Sequence, residues 1–388
     1  MKHLSQAAQA LVGQSMFQLL ARVQALQRAG KDIVRFEIGD STLMTPEHVI
    51  EATKRALDND HIRYVNSQGM LELREAVCTY TEQSLGFRPD PEQVMVMPAN
   101  AIIDSVARCV MNPGEAVVYP DPGFVTYQAV FHYTGMRSIR VKQRETSDRF
   151  RINIDELRSS VTPDTRLIVH NSPNNPTGMA MDKEDVEGVY RVAEEKDVYL
   201  LSDEIYSRLV YDKPHASPGI YDRCRERTII LNGFSKGCCM SGWRLGYAIG
   251  PVEVIKKMAL LFETMYSCIP PFIQMAGVSA LLEHKEVFEG YRDVVKGARD
   301  LIVEELNALP GVTCPHPEGA MYAFPNITGT GFTSQEFADR MLEQGGVSLL
   351  PGTNFGPAGE GYVRLCFART ADAIREGCAR MRSVLTSA

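Results

Sequence analysis

This sequence predicts an α/β fold, with a mainly parallel sheet of seven strands flanked by helices and a smaller α+β domain after it. Short apolar runs alternate with helical stretches over most of the chain, which is typical of a parallel sheet. After Pro310-Gly311 the regular alternation of strands and helices gives way to short strands interspersed with two helices. The seven predicted strands are 94–97, 116–119, 138–141, 166–170, 198–202, 228–231 and 247–249.

The two ends of the chain complete this expectation. Residues 16–29 carry apolar side chains at helical spacing up to Gly30, and a strand is expected from Ile33 to Ile38. After a long helical stretch at 251–310, the C-terminal strands are expected at 312–314, 320–324, 347–350 and 362–367, with helices at 334–344 and 371–385. We therefore expect an N-terminal arm and helix (1–45) that joins the small domain, a large domain (46–285) and a small domain (286–388).

Composition excludes several classes of protein. A length of 388 residues suits about two or three domains. The 41 Lys and Arg against 48 Asp and Glu argue against a nucleic-acid or anionic-membrane surface. The nine cysteines are scattered without a CxxC pair, and neither a signal peptide nor an apolar run of membrane-spanning length is visible. We expect a cytoplasmic protein with reduced thiols and without a metal site.

The densest chemical pattern surrounds Lys236. It follows the predicted strand 228–231 in the run Gly233-Phe234-Ser235-Lys236, and Arg244 follows in Met240-Ser241-Gly242-Trp243-Arg244. A nucleophilic lysine must be neutral, and a nearby cation such as Arg244 favours the neutral amine. The Arg244 guanidinium also suits a phosphate. A surface lysine beside an ion-paired arginine is the alternative interpretation.

Two further loops follow predicted parallel strands. Asn175 lies in the stiff loop Asn171-Ser172-Pro173-Asn174-Asn175-Pro176-Thr177-Gly178, and Asp203 and Tyr206 lie in Ser202-Asp203-Glu204-Ile205-Tyr206. A carboxylate in such a crevice can hold a heterocyclic nitrogen protonated. An ordinary turn and a helix N-cap are the respective alternatives. Because α/β sheets bind ligands at the carboxyl ends of their strands, we expect these loops to meet the Lys236 loop in one site.

Taken together, these motifs resemble the class I/II, fold-type-I pyridoxal-phosphate-dependent aminotransferases. The resemblance extends from about Ser15 to Val384, and the run from Ser235 to Tyr247 is its most specific part. It implies pyridoxal 5'-phosphate as cofactor, bound to Lys236 as a Schiff base, the internal aldimine. It also implies that Lys236 shuttles the proton and that Asp203 pairs with the pyridine nitrogen.

The same resemblance implies the other contacts of cofactor and substrate. Asn175 and Tyr206 would reach the phenolic oxygen, Arg244 and Ser235 the phosphate, and Phe124 the ring face. Arg364, in Gly361-Tyr362-Val363-Arg364-Leu365, would bind the substrate α-carboxylate, and the Gly39 backbone would approach the substrate. Asn175 would also touch the substrate. Tyr64 matches a tyrosine that reaches the phosphate of a neighbouring subunit, which implies a homodimer.

Three positions depart from the family pattern. The phosphate-binding turn reads Pro98-Ala99-Asn100-Ala101, where a helix N-terminus at Ala99 and Asn100 could still hold phosphate. Gly233 replaces a hydroxyl residue, and Cys238-Cys239 replace an aromatic-small pair. Packing behind the lysine loop is the simplest interpretation of these two thiols.

The resemblance implies ping-pong transamination between an L-amino acid and a 2-oxo acid. A lyase or a carbon–carbon bond-forming synthase of the same fold, in a specialised biosynthetic pathway, remains an alternative because the same site residues would serve it. A regulatory protein of this fold would bring an extra DNA-binding domain, for which 388 residues leave no room. The side chain of the substrate stays open, since Phe17, Phe124 and Tyr64 could line an apolar or aromatic pocket.

Overall fold

The computed structural model describes residues 3–9, 11, 13, 15–146 and 149–387. The strands are β1 (Val34–Arg35), β2 (Val94–Val96), β3 (Ala116–Asp121), β4 (Arg137–Glu145), β5 (Phe150–Ile152), β6 (Thr165–Asn171), β7 (Tyr199–Asp203), β8 (Thr228–Gly233), β9 (Gly246–Ile249), β10 (Tyr322–Ala323), β11 (Val347–Ser348), β12 (Leu350–Pro351) and β13 (Val363–Cys366). The α-helices are α1 (Gln6–Gln9), α2 (Ser15–Arg28), α3 (Glu47–Asp58), α4 (Leu71–Leu85), α5 (Ala99–Val110), α6 (Val125–Tyr133), α7 (Ile154–Ser160), α8 (Lys183–Glu195), α9 (Gly219–Asp222), α10 (Val252–Tyr266), α11 (Pro271–Leu282), α12 (Lys285–Asn307), α13 (Ser334–Glu343) and α14 (Ala371–Thr386).

The large sheet confirms the predicted α/β class and corrects the strand number. Its order is β2-β9-β8-β7-β6-β3-β4-β5, and the pairs among β8, β7, β6, β3 and β4 are parallel. Strand β9 runs antiparallel to both of its neighbours, and β5 runs antiparallel to β4. The prediction of seven strands missed β5, because three residues are too short to show an alternating pattern.

Two smaller sheets bring the N-terminal arm to the C-terminal part of the chain. Strand β1 pairs in parallel with β11, with Val34 opposite Val347, while β13 pairs antiparallel with β10 and β12. The strand predicted at 33–38 is thus shortened to two residues. The strand predicted at 312–314 is wrong, because Thr313 makes only an isolated bridge to Asn326. The domain boundaries at residues 45 and 285 stay predictions.

Helices cover both faces of the large sheet, and this burial explains its strand sequences. One apolar cluster places Ile102 and Met258 against strands such as β8 and β9, and another packs Val189 against Leu200 of β7. Both faces of the central strands, such as β3 and β8, are therefore buried, as in other mainly parallel sheets. A further cluster joins α12, α13 and α14, where Ile302 and Met381 are fully buried.

The parallel strands set the position of the polar loops. Strands β6 and β7 end level with each other, with Asn171 opposite Asp203, and Asp203 also lies opposite Leu231 of β8. Since the strands are parallel, the loops that follow them open on the same edge of the sheet. The chain thus gathers three distant sequence motifs at one place.

Candidate active site

A cavity of about 390 Å³ opens at this edge of the sheet. Every site residue predicted from the sequence lines it except Tyr64, which is 88% exposed. The predicted residues in the lining are Gly39, Ala99, Asn100, Phe124, Asn175, Asp203, Tyr206, Ser235, Lys236, Arg244 and Arg364. The others are Met16, Phe17, Ile38, Asp40, Ile103, Asn171, Ile205, Leu231, Ser241 and Tyr322.

Lys236 lies just beyond the end of β8, where its Nζ donates a hydrogen bond to the carbonyl oxygen of Gly39. Burial lowers the pKa of the Lys236 amine from its usual value. The cations Arg364 and Arg244 act in the same direction, whereas Asp40 opposes them. The amine is therefore neutral more often than an exposed lysine, as a nucleophile or base requires.

Asp203 is a buried carboxylate with a neutral partner. Its Oδ2 accepts a 2.6 Å hydrogen bond from Tyr127 Oη, and its Oδ1 accepts one of 3.2 Å from the Ile205 backbone N–H. Burial raises the pKa of Asp203 to about 6, although both hydrogen bonds act to lower it. Within the described part of the chain Asp203 forms no ion pair, so a cationic ring nitrogen fits here.

Tyr127 is a site residue that the sequence did not reveal. It lies in α6, is fully buried, and contacts the Phe124 ring edge to face at 5.6 Å between ring centroids. Nothing in the local sequence distinguishes it from a core aromatic side chain. Only the fold brings its hydroxyl to Asp203.

Tyr206 and Tyr322 form a second buried pair, with 2.7 Å between their hydroxyl oxygens. The Tyr322 ring also lies 4.5 Å from the guanidinium carbon of Arg364, a cation–π contact. A Cβ at Gly39 would stand 2.0 Å from Tyr322 Oη, so any side chain here would force the Tyr322 ring or the Gly39 backbone to move. The sequence indicated only a strand at 320–324, so Tyr322 is a second site residue that it did not reveal.

Arg364 is a buried cation with a free hydrogen-bond donor, which suits the binding of an anion. It is only 2% exposed, Nη1 donates to Asn175 Oδ1 at 3.2 Å, and Nη2 donates to the Glu37 carbonyl oxygen at 2.5 Å. Its Nε is buried and has no hydrogen-bond partner among the described residues. Since a buried unsatisfied donor is costly, a carboxylate bound here would complete the guanidinium's hydrogen bonds.

Another group of lining residues suits a phosphate. Helix α5 begins at Ala99 without a side-chain cap, and Ala99 and Asn100 face the same cavity as Ser235 and Arg244. Helix N-termini bind anions through free N–H groups and the helix dipole. Arg244 forms no ion pair with any described residue. The unusual sequence of the turn therefore keeps the features that a phosphate requires.

Cys238 and Cys239 lie outside the lining of this cavity. Burial raises the pKa of both thiols, that of Cys239 to about 12, so they are protonated at neutral pH. The Cys239 carbonyl oxygen accepts a 2.6 Å hydrogen bond from Thr45 Oγ1. All nine cysteines fall within the described residues, and all are free thiols.

The described part of the chain contains neither a membrane-spanning helix nor a metal-binding group of side chains. None of its helices combines the length and apolar character needed to cross a membrane. No group of His, Cys, Asp and Glu side chains in the described ranges is arranged to hold a metal ion.

The sequence model of aminotransferase class I and II matches residues 31–381. The chain belongs to this family. Pyridoxal phosphate is the cofactor of class I and II aminotransferases, and this chain is a pyridoxal-phosphate-dependent aminotransferase. The resemblance, the enzyme class and the cofactor predicted from the sequence are thus confirmed, and the charged side chains of the cavity fit this cofactor.

Relatives within the family differ in the substrates that their names state. The chain is 35% identical to an aspartate aminotransferase of Pyrococcus horikoshii, over 93% of each chain. It is 38% identical to aromatic-amino-acid aminotransferase 2 of Thermococcus litoralis, over 91% of this chain and 92% of that one. The solved alanine aminotransferase of Pyrococcus furiosus superposes with a TM-score of 0.94 at 28% identity, over 100% of both chains. Family membership alone therefore leaves the substrate side chain open.

Proposed function

We propose that this aminotransferase transfers the amino group of an L-amino acid to a 2-oxo acid in a ping-pong sequence of two half-reactions, with Lys236 as the covalent attachment point of the cofactor. The observation that carries this proposal is the convergence of the Lys236 amine, the Asp203 carboxylate and the Arg364 guanidinium in one cavity. Pyridoxal phosphate, when bound, supplies an electron sink for the negative charge left at the substrate Cα.

The side chains of the cavity would hold the cofactor at three points. Asp203 would pair with the ring nitrogen, and Asn175 and Tyr206 would donate hydrogen bonds to the phenolic oxygen. The N-terminus of α5 at Ala99 and Asn100 would bind the phosphate. Two further side chains of the lining, Ser235 and Arg244, would complete the phosphate site, and Phe124 would cover one face of the ring.

Lys236 would act as the base as well as the attachment point. Its lowered pKa supports a neutral Nζ that takes the proton from the substrate Cα and holds it for return. Asp203, ionised at neutral pH because its pKa is about 6, would keep the ring nitrogen protonated. The Tyr127 hydrogen bond orients this carboxylate and favours its charged form.

Arg364 and Gly39 would position the substrate. The unpartnered Nε and the neighbouring N–H groups of Arg364 suit the two oxygens of an α-carboxylate. Gly39 would bring its backbone close because no side chain fits there. The rest of the lining includes Met16, Phe17 and Ile103, and these apolar side chains support an amino acid with an apolar or aromatic side chain.

A homodimer would complete the site. Tyr64 is almost fully exposed, and the exposed Ile62 lies two residues before it. A hydrogen bond from Ser67 to Glu263 brings the end of α10 to this loop, where Tyr266 is also 58% exposed. Exposed apolar side chains grouped in this way are typical of protein interfaces. We infer that Tyr64 reaches the phosphate site of the partner subunit.

Spectroscopy tests the function directly. The purified protein with pyridoxal phosphate should show the visible absorbance of the lysine adduct, and Lys236→Ala should lose it, whereas Lys256→Ala on the surface of α10 should keep it. A suitable amino acid should convert the bound cofactor to its pyridoxamine form, and a 2-oxo acid should reverse this. Ammonia or a new carbon skeleton without the pyridoxamine form would contradict transamination. A panel of aspartate, alanine, leucine and phenylalanine would rank the donors.

Location and domain division are part of the same proposal. The nine free thiols support a reducing compartment, and we infer the cytoplasm. The buried cluster of α12, α13 and α14 supports a small domain at 286–388 that takes in the arm at 1–45 through the pairing of β1 with β11. Residues 46–285 would then form the cofactor-binding domain.

A further inference from the structure

Arg369 lies in the loop between β13 and α14 and binds three carbonyl oxygens of one short segment. Its Nε donates to the Arg35 carbonyl oxygen at 2.8 Å, and its Nη2 donates to that of Ile38 at 2.9 Å. Its Nη1 donates to the Asp40 carbonyl oxygen at 2.5 Å. One guanidinium thus fixes the backbone at the beginning, middle and end of the segment 35–40.

Two other carbonyl oxygens of this segment, those of Glu37 and Gly39, accept hydrogen bonds from side chains of the cavity. The Glu37 carbonyl oxygen accepts a hydrogen bond from Arg364, and the Gly39 carbonyl oxygen accepts one from Lys236. Arg369 and the cavity cations therefore bind alternate parts of the same backbone. Any shift of the segment would move the acceptors of both Arg364 and Lys236.

The segment has little regular structure to hold it. Strand β1 ends at Arg35, and the residues that follow are irregular up to the start of α3. Its backbone bonds to the neighbouring strand and loop include Cys366 N–H to the Phe36 carbonyl oxygen at 2.8 Å and Thr42 N–H to the Ala368 carbonyl oxygen at 3.3 Å. Two of the three bonds of Arg369, those to Ile38 and Asp40, lie between these two points, where the bonds from Arg364 and Lys236 also hold the backbone.

We propose that Arg369 is a positioning residue, which holds the segment 35–40 so that the Glu37 carbonyl orients Arg364. The kinetic consequences rest on the proposed function, whereas the effect on the backbone does not. Without Arg369, the segment moves and Arg364 loses its fixed orientation, so the substrate carboxylate binds less well. We expect KM for the amino donor to rise about tenfold in Arg369→Ala, with kcat changed much less.

Arg380 provides a matched control. It also lies in the C-terminal part of the chain and binds the N-terminal segment, with Nη1 donating to the Asp32 carbonyl oxygen at 3.1 Å and Nη2 to Asp32 Oδ2 at 2.5 Å. It does not line the cavity. Arg380→Ala removes a comparable set of hydrogen bonds to the N-terminal segment. It leaves the Glu37 and Gly39 carbonyls, which bind Arg364 and Lys236, unchanged. Arg369→Lys tests rescue, because its ammonium can still reach part of the carbonyl set.

The first readout is amide hydrogen exchange of the cofactor-free protein over residues 36–42, followed by mass spectrometry. Exchange should become at least about fivefold faster in Arg369→Ala, stay unchanged in Arg380→Ala and lie between them in Arg369→Lys. Unchanged exchange in Arg369→Ala, or equal acceleration in both alanine variants, would overturn the positioning role. This result does not depend on whether the protein transaminates.

The second readout is the dissociation constant of an α-methyl amino acid, which has no Cα proton to lose, from the change in cofactor absorbance. We expect weaker binding in Arg369→Ala by about tenfold, and unchanged binding in Arg380→Ala. Faster exchange with unchanged binding would show a purely structural tie and reject the proposal. Failure of the unaltered enzyme to form the pyridoxamine form would instead reject the proposed function and leave the exchange result to decide the role of Arg369.

Discussion

The Tyr127 hydroxyl lies 2.6 Å from Asp203 Oδ2, and the protein interior surrounds both groups. Burial raises the pKa of Asp203 to about 6 and that of Tyr127 well above its usual value. The shared proton therefore stays on Tyr127, which donates to a carboxylate that is ionised at neutral pH. In the proposed function this carboxylate pairs with the ring nitrogen of the cofactor, so the hydrogen bond from Tyr127 sets the charge there.

Tyr127→Phe should move the acidic limb of the pH–rate profile to higher pH. The hydrogen bond from Tyr127 lowers the pKa of Asp203, so its loss raises that pKa and protonates the carboxylate at a higher pH. We expect kcat at pH 7 to fall about tenfold, as the loss of one hydrogen bond to a charged group implies. Measurement of kcat and kcat/KM from pH 5 to 9 checks this. Tyr119 is the control, because its hydroxyl accepts a hydrogen bond from Arg140. Tyr119→Phe should leave the acidic limb of the pH–rate profile in place.

Asp203 should make the cofactor-free protein less stable as the pH rises. Its pKa is 3.8 as a free group and about 6 in the folded protein, so the folded state binds more protons between these values. The stability of the unaltered protein relative to Asp203→Asn is therefore highest below pH 4 and falls as pH rises through 6. We expect a fall of about 2 kcal/mol between pH 4.5 and 7.5, measured by urea unfolding. A stability difference that is independent of pH would contradict the buried charge.

The sequence predicted the parts of the site that depend on strand ends. Asp203 ends a parallel strand, and Asn175 and Lys236 lie in the loops after two others. The geometry of a parallel sheet brings such strand ends together whatever their separation in the chain. Tyr127 and Arg369 could not be predicted in this way. Tyr127 acts from within a helix whose apolar pattern resembles any core helix, and Arg369 binds backbone carbonyls, which leave no pattern in side chains.

The same distinction explains the errors in the fold. Long buried strands such as β6 and β7 were found because their apolar runs are continuous. Strand β5 has three residues and pairs with only β4, so its sequence carries too little pattern. The run 312–314 is apolar because Val312 and Cys314 pack in the cluster with α12, and burial there does not require a strand.

Gly39→Ala should disrupt the site through Tyr322. The new Cβ would stand 2.0 Å from Tyr322 Oη and 2.9 Å from its Cζ, so the ring or the Gly39 backbone must move. We expect kcat/KM to fall by about 100-fold, and Tyr322→Phe alone by about tenfold through loss of the bond to Tyr206. The fall in kcat/KM of the double variant should be smaller than the two single falls combined, because Tyr322→Phe removes the atom nearest to the new Cβ. The difference corresponds to a coupling free energy on the order of 1 kcal/mol in a double-mutant cycle.

The control for this cycle is Gly290→Ala, at a helical glycine where an added Cβ meets no atom within 4 Å. It should leave kcat/KM unchanged and combine additively with Tyr322→Phe. Strict additivity between Gly39→Ala and Tyr322→Phe would show that the two residues do not act through each other. The contact of Gly39 with Tyr322 would then have no role in binding the substrate beside Arg364.

Hybrid dimers test whether Tyr64 serves the partner subunit. In a hybrid of Tyr64→Ala and Lys236→Ala chains, one site would combine an intact Lys236 with the partner's intact Tyr64, and the other would lack both. Refolding equal amounts of the two variants together should therefore restore about a quarter of the unaltered activity, since half of the dimers are hybrids with one complete site. A hybrid of Lys236→Ala with Asp203→Ala should restore none, because both residues line the cavity of one chain. If the mixture that contains the Tyr64 hybrid shows only the average activity of the two parent variants, Tyr64 acts within its own chain or not at all, and its high exposure must have another cause.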